Sequence, residues 1–104
     1  MKVALQLDNT QLTVSGDLDR NSLKQDGWQM LSNSQQNGLI KAGRVEILFQ
    51  QIEHVDSAGL AWVLNWIKDA SAKGVTPTLS KVPSKLIQLA KLSSVAELLP
   101  IQDD

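Results

Sequence analysis

Val45-Glu46-Ile47-Leu48-Phe49 leads toward His54-Val55-Asp56-Ser57-Ala58-Gly59-Leu60, and no other stretch limits the fold as much. The first segment alternates Val45, Ile47 and Phe49, with Leu48 apolar on the other face. A strand apolar on both faces is a central one. A short polar loop is expected after it. The loop ends on Asp-Ser-small-Gly, and a helix opens at once. Leu60, Val63, Leu64, Ile67 and Ala70 form its apolar stripe, and Lys73-Gly74 closes it with a left-handed glycine. Val75 to Leu79 is the next strand. Pro77 lacks a backbone donor and belongs at an edge or a strand start. A strand-helix-strand unit of this length makes its two strands parallel, with a right-handed crossover.

The flanks complete the pattern. Val3, Leu5 and Leu7 alternate with polar residues, Leu12 and Val14 repeat the alternation, and Asn9 turns the chain between them, so a hairpin is expected. Gly16 ends its second strand. A helix then starts from a cap at Asp19 or Asn21 and places Leu23, Trp28 and Leu31 on one face, although Gly27 costs it about 1 kcal/mol against Ala. Asn33 to Gly38 reads as helix end and loop. Pro83 opens a last helix at a first-turn position, with Leu86, Leu89, Ala90 and Ser93 on one side. Val95, Leu98 and Leu99 add a short apolar segment, and Asp103-Asp104 is a charged, frayed end. The expected fold class is α/β: a small mixed sheet with an N-terminal hairpin, a βαβ unit and three or four helices.

Bulk properties narrow the function. The chain has 104 residues, room for a single domain over 1–104. Ten basic against eleven acidic residues give a net charge of -1, without the basic footprint of nucleic-acid binding. The absence of cysteine excludes disulfides and thiolate metal sites and fits a reducing compartment. The N-terminus lacks the apolar core of a signal peptide. The longest strictly apolar run, Leu60 to Leu64, is far short of the ~20 residues a membrane span needs. The chain is therefore expected in the cytoplasm, reaching a membrane only through a partner.

The Asp56-Ser57-Ala58-Gly59 junction puts a carboxylate and a hydroxyl at the positive end of a helix, among small residues. Such a place can bind an anion, accept a phosphate or dock a partner. Catalysis is not favoured. Ser57-x-Gly59 is half of a Gly-x-Ser-x-Gly nucleophile elbow, but Val55 stands where the first glycine is needed. His54, the single histidine, is poorly placed to serve as base to Ser57. No metal-ligand spacing, phosphate loop or cofactor motif is present. Asp56 and Ser57 also serve simply as helix caps, worth about 1 kcal/mol. Trp62 and Trp66 lie one turn apart on a flank of the apolar stripe. They either fold over the sheet rim and finish the core or form an exposed docking ridge, and one tryptophan can do each job.

Gly16-Asp17-Leu18-Asp19, an apolar strand and then Val55-Asp56-Ser57-Ala58-Gly59-Leu60 resemble the STAS domain over nearly the whole chain. The resemblance implies a non-catalytic protein-interaction module whose binding surface surrounds the start of the second helix. Two branches compete. In anti-sigma factor antagonists the phosphoacceptor is the residue before the glycine; here that is Ala58, which has no hydroxyl. The chain is more similar to the MlaB-type STAS subunit of a Gram-negative phospholipid ABC transporter, through Asp56-Ser57-Ala58-Gly59-Leu60, Trp28-Gln29-Met30, Leu89-Ala90-Lys91-Leu92 and Leu99-Pro100. That likeness implies a cytoplasmic subunit that binds the transporter's ATPase and supports its assembly and its work in outer-membrane lipid asymmetry. Ser57 takes the place of the hydroxyl used at the ATPase contact. Asp56, Ser57, Ala58, Gly59, Trp62 and Trp66 are the expected partner-binding residues.

Overall fold

A computed structural model of the chain describes residues 2–102; the acidic end at Asp103-Asp104 lies outside them. Four strands form one sheet in the spatial order β1 (Ala4–Asp8), β2 (Gln11–Leu18), β3 (Arg44–Val55), β4 (Thr76–Ser80). β1 and β2 are the expected antiparallel hairpin, turning at Asn9 with φ 60°. β2, β3 and β4 run parallel, joined through helices α1 (Asn33–Ala42) and α2 (Ser57–Ala72). Helix α3 (Ser84–Leu92) follows β4, with Pro83 at its cap position rather than in its first turn. The sheet is mixed because a two-residue turn forces antiparallel pairing, whereas a helical crossover returns the chain in the same direction.

One parity of every strand faces the helices. Leu12 and Val14, then Val45, Ile47 and Phe49, then Pro77 and Leu79 are buried there. The opposite parity carries Thr13, Ser15, Glu46 and Thr78, none of them fully buried. Pro77 sits on β4 as its missing donor requires. The outer edge of that strand is covered by residues 100–102, where Leu79 N–H donates to the Pro100 carbonyl at 2.9 Å and Gln102 N–H to the Leu79 carbonyl at 2.8 Å.

Several expectations need correction. Gly16 does not end β2: it adopts φ 97° beside a register shift, and the strand continues to Leu18. No loop follows Phe49 either, because the extended β2 gives residues 51–55 of β3 a partner, pairing Gly16 with Ile52 and Leu18 with Val55. The helix expected from Asp19 to Leu31 is absent. That stretch is irregular apart from a 3-10 turn at Trp28–Met30. The helix lies later, over the residues read as a loop. Ser32 starts it with a reciprocal capping box: Ser32 Oγ accepts from Gln35 N–H at 3.1 Å and Gln35 Oε1 accepts from Ser32 N–H at 2.9 Å. On α3, Leu86 and Ala90 face the core as expected, but Ser93 is the exposed C-cap.

Candidate functional site

Two strands and a helix start meet at one place. β2 ends at Leu18, β3 ends beside it at Val55, and α2 begins two residues later. The Leu18 carbonyl accepts from Asp56 N–H at 3.0 Å, which pins the helix start to β2. Gly59 lies directly on Leu18, and a Cβ there would strike the Leu18 carbonyl oxygen. The small residue therefore serves the approach of the chain's own strand. The expectation that Gly59 offers open backbone to a partner is corrected: Gly59 is buried.

Asp56 is the N-cap of α2. Its Oδ1 accepts from Ala58 N–H at 2.8 Å and Gly59 N–H at 3.1 Å, and its Oδ2 accepts from Arg20 N–H at 3.1 Å. Partial burial works against its ionisation. The amide donors of Arg20, Gly59 and Ala58, together with the Arg20 charge, outweigh that and hold the carboxyl below its ordinary value of 3.8. This arrangement works against binding of a free anion at the helix N-terminus. The positive end already holds an internal carboxylate, and two of its open amides are taken, so an incoming phosphate meets negative charge instead of a vacant cradle. Ser57, in the first turn, is exposed, with half-buried Ala58 beside it and exposed Ala61 one turn on.

Of the two readings of the tryptophans the structure shows the core one for both, which corrects their expected place among exposed partner-binding residues. Trp66 is 1% exposed and Trp62 6%. Trp66 packs edge-on against Trp28, with ring centroids 5.4 Å apart and planes at 74°, and a contact of this type adds about 0.5–1.5 kcal/mol beyond burial. Trp62 Nε1 donates to the Gln25 carbonyl at 3.1 Å. The expected ridge is covered because the loop over residues 19–27 lies on it. Gly27 sits so close that a Cβ would collide with both indoles. Leu64 and Ile67, expected in the apolar stripe, are only half-buried. Between the loop and α2 runs an open groove of 400 Å³, with Leu23, Ala58, Ala61 and Trp62 on its walls and Arg20 and Lys24 among its polar lining.

Two residues carry more than their sequence position showed. His54 is largely exposed, yet its Nδ1 lies 2.8 Å from Oδ1 of buried Asp17, its cross-strand partner. The hydrogen bond and charge of Asp17 raise the His54 pKa above its ordinary value of 6.5. The His54 ring nitrogen is turned to Asp17, and no group of acidic or histidine side chains among the described residues could hold a metal ion.

The family model described as the Mlab STAS domain matches residues 1–100. The chain belongs to that STAS family. Its fold is also that of solved STAS structures. TM1081 of Thermotoga maritima, described as a putative anti-sigma factor antagonist, superposes with a TM-score of 0.63 at 13% identity, covering 98% of this chain and 86% of that one. Its NMR structure gives 0.56 at 13% identity over 95% and 78%. The anti-sigma factor antagonist SpoIIAA in its unphosphorylated form gives 0.58 at 12% identity over 98% and 89%. No curated protein matches the chain in sequence. No helix among the described residues is long and apolar enough to cross a membrane.

Proposed function

We propose that this chain is a non-catalytic subunit that binds the cytoplasmic ATPase of an Mla-type phospholipid ABC transporter through the start of α2. The match of the Mlab STAS family over residues 1–100 carries the reading. The chemistry of the helix start supports it. Ser57 offers an exposed hydroxyl beside Ala58. In this reading Asp56 fixes the helix start, Ser57 and Ala58 meet the ATPase, and the protein reaches the inner membrane only through the complex. Support of ATPase assembly, and through it outer-membrane lipid asymmetry, is the consequence. A direct test mixes the purified chain with the ATPase and follows co-elution on gel filtration. A stoichiometric complex is expected; separate elution at micromolar concentrations would count against the proposal.

The solved relatives favour a second reading, a phosphorylation-controlled antagonist of a kinase or anti-sigma partner. Ala58 has no oxygen to accept phosphate, and Ser57 precedes it by one residue. Incubation with an anti-sigma kinase and ATP should leave the intact mass unchanged. Stoichiometric phosphate on Ser57 would shift the balance to the antagonist.

A further inference from the structure

We infer that the groove between the loop over residues 19–27 and α2 receives an apolar side chain of the ATPase, flanked by a carboxylate. The inference rests on the proposed ATPase partner and adds the chemistry by which that partner is recognised. Three observations carry it.

The groove is largely apolar along its walls, where Leu23, Ala58 and Ala61 lie beside the nearly buried Trp62. At 400 Å³ it falls at the small end of the roughly 300–1,000 Å³ typical of ligand sites. It is also held in shape before any partner arrives. Trp62 is locked from beneath by the core and from the side by its 3.1 Å bond to the Gln25 carbonyl. Gly27 lets the loop lie directly on the indoles. A preformed aromatic pocket loses little entropy on binding and is the usual seat of an interface anchor.

The polar lining has a sign. Arg20 and Lys24 meet one acid, Asp26, in a chain whose net charge is -1. Both cations are exposed; the Arg20 charge already acts on the Asp56 carboxylate, while Lys24 forms no salt bridge with a carboxylate among the described residues. A phosphate is the poorer guest. The nearby helix amides are bound to Asp56, which leaves only long, flexible side chains to hold an anion at the margin. Such side chains suit a carboxylate that steers and orients a protein surface.

The test measures ATPase association by biolayer interferometry over a range of salt concentrations. Four proteins are compared: wild type, an Arg20→Glu/Lys24→Glu double variant, Ala61→Trp, which plugs the groove, and Ser57→Arg. The groove positions changed are exposed, and melts verify folding; an Arg20→Gln/Lys24→Gln pair replaces the reversal should that variant melt early. The charge variant should associate about tenfold more slowly at low salt, with a flattened salt dependence. Ala61→Trp should weaken binding by about tenfold or more, through faster dissociation. If Ser57→Arg abolishes binding while both groove variants bind as wild type does, the groove assignment is overturned and the ATPase reading stands. If wild type itself does not bind, both fall.

Discussion

Gly59 and His54 show how single residues set the site. Gly59 has no room for a side chain because Leu18 fills the space: its Cβ would lie 2.8 Å from a Cβ on Gly59. Gly59→Ala must therefore push the start of α2 off β2. Overpacking typically costs about 1–3 kcal/mol, so the urea midpoint should fall measurably; an unchanged midpoint would mean that the helix start is not seated on the strand. His54 acts through pH. Its pKa is raised in the folded protein by Asp17. The stability it supplies is therefore fully present below 6.5, the ordinary value, and is lost as pH rises through the raised one. Wild type should melt above His54→Gln well below pH 6.5, and the gap should close in alkali. A gap that persisted unchanged at high pH would remove the His54–Asp17 pair from the balance. Asp56 works in the opposite sense: its contribution is present above 3.8 and is lost as pH falls through its lowered value.

Among the elements, α1 is the instructive one. It buries a single residue, Leu39, so apolar periodicity has almost nothing to detect. Its signal is the cap: Ser32-Asn33-Ser34-Gln35 fits the Ser-x-x-Gln pattern, and both of its hydrogen bonds form. Ser32→Ala should lower stability by about 1 kcal/mol, read as a shifted urea midpoint with an unchanged slope. No shift would mean that the capping box is decorative. Other elements were legible because their apolar residues repeat strongly: the hairpin, the central strand, α2, β4 and α3. The extensions of β2 and β3 were hidden because they depend on each other, and neither Gly16 nor Gln50-Gln51 reads as strand alone. At the site, the Asp56 cap and exposed Ser57 could be read from residue type and position. The burial of Trp62 and Trp66 could not. It depends on the 19–27 loop folding back across α2, a long-range contact whose trace in the sequence is one small residue, Gly27.

Across the whole molecule, the sheet, the helix layer and the sealed β4 edge form a rigid support for one surface at the start of α2. That frame is shared with distant STAS structures at 12–13% identity, so the fold alone does not choose a partner. The local features at this surface are the Asp56 carboxylate that caps the helix end, exposed Ser57 beside Ala58, and the groove under the 19–27 loop alongside. Ser57→Arg tests that surface most directly. Asp56, not Ser57, caps α2, so the substitution leaves the cap in place, and Ser57 is exposed. The variant should keep the wild-type circular dichroism spectrum and melt. The decisive measurement is its affinity for the Mla-type ATPase beside that of wild type. The expected result is a folded variant whose binding drops by about a hundredfold or more, the loss typical of an interface hot spot. A folded Ser57→Arg protein that binds the ATPase as tightly as wild type would contradict the assignment of this surface.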